Sequence, residues 1–372
     1  MSRQTDLVDI SQDGVPAPFA PVAVTGTTPS LNVGSYNFFN QNALTGNTTV
    51  SFTSVPTNAN WKYSFKNTNS VAWNISYASL VASLAAPNNQ PHDITFKPDG
   101  TEMYILGNSN PTMYQLTLST AWDITTATAT GNKNISSGSA SLYGLDISTD
   151  GLNIYTTSAA AGTIEQYTLG TAWDITTATL TRTFSTTAQD GAPLAVAFKP
   201  DGLKMYMVGN TGNDVNEYNL STAWNISTAV YSQVFSLASQ TTAPIGLHLR
   251  KTDGLKMYIA DDQNETVLEY TLSTGWDVST ATYVRSFSVS SQTSNIRSVF
   301  FTPVGDEMYI TGSEDSSASK VYQYGLADYF SITLPSSVVN PPTAPLSVQN
   351  VTYDFFTMDG GTTVTLIGEE IV

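Results

Sequence analysis

The sequence predicts an all-β chain built around a five-bladed β-propeller, and three observations carry that prediction. A tryptophan phrase, "STAWDITTAT" at 119–128, returns as "GTAWDITTAT" at 170–179, "STAWNISTAV" at 221–230 and "STGWDVSTAT" at 273–282, with a weaker copy, "SVAWNISYAS", at 70–79. A second phrase keeps the same beat: "FKPDGTEMYILG" from Phe96, "ISTDGLNIYTTS" from Ile147, "FKPDGLKMYMVG" from Phe198, "LRKTDGLKMYIA" from Leu249 and "FTPVGDEMYITG" from Phe301. A third closes each unit as "MYQLTL", "IEQYTL", "VNEYNL", "VLEYTL" and "VYQYGL". The tryptophans Trp73, Trp122, Trp173, Trp224 and Trp276 lie about 51 residues apart, a period at which sets of four short strands read as propeller blades.

Each phrase has a local cause. In "HDITFKPDGTEMYILG" two β-favouring runs flank Pro-Asp-Gly, where Pro presets φ and Gly supplies the left-handed residue of a tight turn. That makes a hairpin of two strands, A and B. "VLEYTL" alternates apolar and polar residues and forms strand C. In the tryptophan phrase Asp123, or Asn in its place, is set to accept from the amide two residues on, an Asx-type turn reinforced by paired threonines. Trp122 and its counterparts are expected to wedge between blades as large anchors at the corner between C and D. A Thr- and Ser-rich strand D, such as "ATYVRSFSV", completes the unit.

The order of the phrases predicts how the ring closes. The first D, Trp73 to Leu84, precedes the first A, and the last C, ending at Leu326, has no D behind it. A ring resolves the mismatch if residues 71–84 pair beside Val321–Leu326, so that the propeller occupies 71–326. The alternative is an open arc completed by a neighbouring subunit.

Aligning the repeats separates frame from variable surface. One strand-A column is Ile94, Leu145, Val196, Leu247, Val299 and another is Phe96, Ile147, Phe198, Leu249, Phe301, both of core type. The column Asp93, Gly144, Ala195, Gly246, Ser298 is mostly small, as strands crowding an axis require. Just ahead, His92, Tyr143, Leu194, Ile245 and Arg297 share no chemistry. Positions that vary where the frame is constant are the candidate binding rim; the plainer alternative is that they are unconstrained loop residues.

The chain ends have a different texture. Residues 44–68 read as two alternating strands around a Pro-Asn turn region, and 328–370 as three or four more, with "MDGGTT" at 358–363 as a hairpin turn. Neither half buries a face alone, so 31–70 and 327–372 are expected to pair into one split β-sandwich with the propeller inserted between its halves. Residues 1–30, rich in Pro and Gly, are expected to be an extended arm ordered by a partner or a neighbouring subunit.

The flanks "LTGNTTVSFTSVP…WKYSFKNT" and "FSITLPSSV…VTYDFFTMDGGTTVTLIGEE" resemble a small β domain recurring in tailed-bacteriophage fibre and other virion proteins. The "FKPDG…MY…STAW" repeat is similar to repeats in virion structural proteins of marine and cyanobacterial phages. Together the resemblance covers about residues 44–370. It implies a virion-surface protein, on tail or capsid exterior, that forms a homo-oligomer, often a trimer, and carries no catalysis. Other virion proteins would be held through the arm and the sandwich, and the displayed propeller is expected to bind host glycan in the manner of a tail-fibre adhesin. Capsid decoration is the alternative role within that class.

Composition narrows the chemistry. The 372 residues include no Cys and two His, which removes thiolate sites and most His-based catalysis, and a net charge of -16 repels nucleic acid. No apolar run approaches the roughly 18 residues of a membrane span, and the N-terminus lacks the apolar segment of a secretory signal. No cofactor and no metal are expected. The pairs Asp261–Asp262 and Glu314–Asp315 could offer oxygen ligands to Ca²⁺, but no EF-hand spacing exists and solvated acids are the better reading. The remaining catalytic reading is a polysaccharide hydrolase using Asp93 and Asp146, with His248, in the axial channel.

Overall fold

The computed structural model describes residues 72–326 except 88–89, 108–110, 136–140 and 314–318, and in the two chain ends the strands named below and Ser336. The chain divides into two compact units, Ala72–Leu326 and Met1–Val71 with Ala327–Val372.

The first unit is a five-bladed β-propeller, each blade a four-stranded antiparallel sheet in the order A-B-C-D. Blade 1 is Pro91–Phe96, Glu102–Gly107, Thr112–Leu118 and Ala127–Asn134, and blade 2 is Leu142–Ile147, Asn153–Ser158, Thr163–Thr168 and Thr179–Ser185. Blade 3 is Pro193–Phe198, Lys204–Gly209, Asp214–Leu220 and Ala229–Ser236, and blade 4 is Pro244–Leu249, Lys256–Asp261, Thr266–Leu272 and Ala281–Ser288. Blade 5 takes Ile296–Phe301, Glu307–Gly312 and Lys320–Gly325 from the end of the propeller sequence and its strand D, Ser79–Ala85, from the beginning. The pairing runs from Lys320 opposite Ala85 to Gly325 opposite Ser79, so the ring is closed and needs no neighbour. Strand A of each blade abuts strand A of the next all round the axis. Crowding there explains the small column: a Cβ on Gly144 would lie 2.8 Å from the Ala195 backbone.

The corner phrase folds as one turn of 3-10 helix per blade, with Asp123, Asp174, Asp277, Asn74 and Asn225 capping its start. Asp123 Oδ1 accepts from the Thr125 amide at 2.9 Å and from the Thr125 hydroxyl at 2.6 Å, the Asx turn that the residue types predict. The apolar residue next along, Ile75, Ile124, Ile175, Ile226 or Val278, is fully buried. Only Trp73 among the five tryptophans of the corner phrase is buried; the other four are half-buried, so the Ile column anchors the corner more deeply than the Trp column does.

The tryptophans serve a second purpose that their residue type conceals. All five adopt left-handed backbone, φ 64 to 69°, a region that costs a bulky residue about 1–2 kcal/mol. Each lies over the glycine of its own A–B turn, Gly100, Gly151, Gly202, Gly254 or Gly305, itself left-handed at φ 69 to 75°. The Trp amide donates to that glycine's carbonyl, for example Trp173 to Gly151 at 2.9 Å and Trp73 to Gly305 at 2.7 Å. The Trp carbonyl turns toward the preceding blade and accepts its strand-B tyrosine: Tyr104 to Trp173 at 2.9 Å, Tyr155 to Trp224 at 2.6 Å and Tyr206 to Trp276 at 2.8 Å. Tyr258 to Trp73 and Tyr309 to Trp122, the latter at 2.6 Å, complete the circle. Burial pushes the ionisation of these tyrosines far above the usual phenol range, so their hydroxyls stay donors. A Cβ on Gly202 would sit 2.5 Å from the Trp224 ring. Gly202→Ala is therefore expected to cost about 2–5 kcal/mol, left-handed strain plus overpacking, read from the urea midpoint of the propeller.

A second link joins blades through strand C. The column Gln115, Gln166, Glu217, Gln323 offers one side-chain oxygen to the corner amide of the next blade, at Ile175, Ile226, Val278 and Ile124, over 3.2 to 3.4 Å. What faces it on strand B changes in step. Gln115 donates to Glu102 at 3.0 Å, Gln166 to Asn153 at 2.9 Å and Gln323 to Glu307 at 2.9 Å. Where strand C carries Glu, strand B carries Lys: Lys204 meets Glu217 at 2.5 Å, and Lys256 pairs with Glu269.

In the second unit strands of both chain ends share one six-stranded sheet, in the order Val22–Ala23, Phe38–Gln41, Ala59–Lys66, Asn350–Thr357, Val364–Ile371, Val338–Val339. The join is antiparallel, Ala59 opposite Thr357 through Lys66 opposite Asn350. Residues 44–68 do not form one hairpin: Ser51–Thr53 pairs in parallel with Ser30–Asn32, whereas Ala59–Lys66 lies between Phe38–Gln41 and Asn350–Thr357. Thr48–Thr49 pairs in parallel with Ile332–Thr333, and Asp9–Ile10 with Pro16–Ala17 antiparallel. Local alternation marks strands correctly here but does not choose partners, because the sheet mixes parallel and antiparallel neighbours. The turn expected at 358–363 lies outside the described residues, as does most of the 1–30 arm.

Candidate functional site

The five variable residues, each the second residue of its strand A, are packed inward. His92 is 7% exposed, Leu194 9% and Ile245 7%, while Tyr143 and Arg297 are half-buried. His92 and Tyr143 lie ring to ring at 4.4 Å, and Leu194 and Ile245 join a core cluster against which Tyr143 packs. Arg297 pairs with Asp262 at 3.0 Å and reaches Asn295 at 3.3 Å. Burial pushes the His92 imidazole down to about 3, with the Arg297 charge adding and a backbone hydrogen bond at Leu142 opposing. His92 and Tyr143 thus pack on each other and Leu194, Ile245 and Tyr143 share one cluster, while Arg297 is held by Asp262 and Asn295.

Asp93, Asp146 and His248 all line one axial cavity, with Lys251. Its water-accessible volume is about 20 Å³, room for about one water. Both carboxylates are committed to the backbone. Asp93 accepts from its neighbour Ile94 at 2.8 Å and from Leu145 of the next blade at 2.7 Å. Asp146 accepts from Ile147 at 2.9 Å and from Phe198 of the next blade at 2.7 Å, and takes Lys251 Nζ at 3.1 Å. Burial raises the Asp93 carboxyl well above the usual carboxylate range, against the two amides that favour its charge, with Asp146 raising it further.

His248 lies between Phe300 and Phe301, its Nε2 without a partner among the described residues, and burial, aided by the Lys251 charge, holds its pKa well below the usual value. A lowered histidine pKa means the folded state binds fewer protons than the unfolded chain, so its contribution is complete above pH 6.5 and lost as pH falls below that value. Compared with His248→Phe, a replacement that Phe300 fills at the same position of blade 5, the wild type should lose about 1.4 kcal/mol more per pH unit below 6.5. Urea titrations of both proteins at pH 7 and pH 5 read the difference.

The acidic loop residues have partners too. Asp261 is fully buried and accepts from Thr241 Oγ1 at 2.5 Å, the Gln263 amide at 3.0 Å, Asn264 Nδ2 at 2.8 Å and Thr266 Oγ1 at 3.3 Å, while Asp262 faces Arg297. Four neutral donors make Asp261 a loop anchor. Among the described residues no group of three or more His, Asp or Glu could hold a metal ion; Glu314 and Asp315 lie outside them.

A cleft missed at the sequence level lies on blade 4, between its C and D strands and the loop that enters the blade. Ser239, Gln240, Asp261, Asn264, Leu268, Tyr283 and Ser286 line it, and its water-accessible volume is about 320 Å³. Tyr283 is 39% exposed and meets the buried Tyr270 edge-on at 5.7 Å.

No protein-family model matches the sequence, and no curated protein matches it. Solved structures resemble it at low identity. Glutaminyl cyclase of Myxococcus xanthus is 13% identical, with 66% of this chain and 95% of that one covered at a TM-score of 0.43. The Cps50 (Swd1) β-propeller domain of Myceliophteria thermophila is 7% identical, covering 67% and 100% at 0.42. A functionally unknown protein of Desulfotomaculum acetoxidans is 11% identical, covering 83% and 76% at 0.38. Likenesses of this size carry no argument about activity.

Proposed function

We propose that this chain is a non-catalytic virion structural protein that displays its propeller on the particle surface, as a tail-fibre or adhesin-type binder of neutral host glycan. The observation that carries the non-catalytic reading is the axis. Asp93 and Asp146 each hold amides of two successive blades, beside a cavity with room for about one water. Carboxylates used this way tie strands together and leave no space for a sugar ring between them. The virion assignment rests on the resemblance of the repeat phrase and of the flanking segments. Within it, the unit built from both chain ends attaches the protein, and the propeller's outer surfaces meet the ligand. Gold-labelled antibody against the propeller is expected to decorate intact phage particles; a chain found only in lysate fractions free of particles would overturn the assignment. Turnover of a host polysaccharide that is lost in Asp146→Asn would overturn the non-catalytic reading.

A further inference from the structure

We infer that the blade-4 cleft is the site that takes the glycan, one neutral pyranose ring at a time; this rests on the glycan-binding reading above and gives it a location. Blade 4 departs from blades 3 and 5 at this place. In blade 5 the Tyr322 hydroxyl donates to the Gln292 carbonyl at 2.5 Å and the Tyr324 hydroxyl to Gln292 Oε1 at 3.1 Å, so two tyrosines lock the glutamine of the entering loop. In blade 3 Tyr218 reaches the matching Gln189 at 3.4 Å. Blade 4 keeps the glutamine, Gln240, and the tyrosine, Tyr270, but the contact is not made. Gln240 Oε1 accepts from Ser239 at 2.8 Å, and the fully buried Tyr270 hydroxyl has no partner among the described residues. Leu268 stands where blade 5 has Tyr322, which removes the side chain that would fill the space.

The result is a cleft at the small end of the range for small-molecule sites, one of whose lining rings, Tyr283, packs edge-on against the buried Tyr270 with its unsatisfied hydroxyl. Its lining suits a sugar. Tyr283 offers an aromatic face to the C–H face of a pyranose, while the amides of Gln240 and Asn264 and the hydroxyls of Ser239 and Ser286 can bond ring hydroxyls. It does not suit an ion. The Asp261 carboxylate is satisfied by neutral donors, and a chain of net charge -16 repels anions.

The test uses the full chain and saturation-transfer NMR with the methyl glycosides of glucose, galactose, mannose and N-acetylglucosamine. Wild type is expected to bind at least one of them. Tyr283→Ala should weaken that binding about tenfold by removing the stacking face. Leu268→Tyr should abolish it by restoring the blade-5 filling, with an unchanged or raised melting temperature to show that the blade is intact. Tyr231→Ala, at the matching exposed position of blade 3, should leave binding as it was. Binding that survives both Tyr283→Ala and Leu268→Tyr overturns this site and leaves the adhesin reading standing. Failure of all four glycosides to bind the wild type overturns both.

Discussion

Replacing Lys204 by Glu should destabilise the propeller by about 3–5 kcal/mol, and adding Glu217→Gln to the same chain should recover most of the loss. Lys204 holds Glu217, a side chain only 1% exposed, and also donates to the Trp276 carbonyl at 2.9 Å. The single change sets two carboxylates against each other in a buried site. The double change rebuilds what blades 1 and 5 already contain, a strand-C glutamine that donates to a strand-B glutamate and keeps its oxygen for the next blade. Glu217 Oε2 now accepts from Val278 at 3.2 Å and from Gln233 at 2.8 Å, and a glutamine oxygen can take the first of these. The double variant is expected within about 1.5 kcal/mol of wild type by guanidinium denaturation. A double variant no more stable than Lys204→Glu would show that the column is not the interchangeable module its covariation suggests.

Trp73→Ala should cost about 3–5 kcal/mol, roughly twice the loss from Trp122→Ala. Trp73 is the buried member of its column, stacked on Phe301 of its own blade at 5.5 Å and near His248 and Tyr258 of blade 4 at 6.0 and 6.3 Å. The Arg250 guanidinium lies over its ring at 5.8 Å. It is also the first residue of the segment that closes the ring, so its amide and carbonyl bind it to Gly305 and Tyr258. The Trp122 ring is half-buried against Phe96 at 5.4 Å. Equal losses at the two positions, from parallel denaturation curves, would remove the special status of the closing segment.

The ring is legible in the sequence because it is written as repetition: the displaced tryptophan phrase at 70–79 left either closure onto the final blade or an open arc completed by a neighbour, and the pairing of Ser79–Ala85 with Lys320–Gly325 decides for closure. The left-handed backbone of the tryptophans is not legible, since Trp has no preference for that region and is forced into it by the glycine carbonyl and the neighbouring tyrosine. The Gln/Glu column of strand C looks like solvent-facing polarity until its strand-B partner is seen to change with it. Near the axis, variation among His92, Tyr143, Leu194, Ile245 and Arg297 suggests an exposed rim, whereas the structure buries His92, Leu194 and Ile245 and half-buries Tyr143 and Arg297. The blade-4 cleft was hidden for the opposite reason, because it arises from a missing group: Leu268 is an unremarkable strand residue until Tyr322 shows what the position can hold.

Closure by Ser79–Ala85 also sets an order of events at the ribosome. The strand that finishes the last blade is made before any other strand of the propeller, and its partner Lys320–Gly325 is made at the end. Throughout synthesis of blades 1 to 4 this segment must wait with its edge unpaired, exposing Leu80 and Val81, which are among the more exposed apolar side chains even in the finished ring. Blades 1 to 4 can each form from contiguous chain, but the final pairing closes the longest loop in the unit and so comes late, at the cost of loop entropy rather than of strand formation. The propeller therefore keeps one unpaired edge until Lys320–Gly325 has been made, and becomes a ring only then.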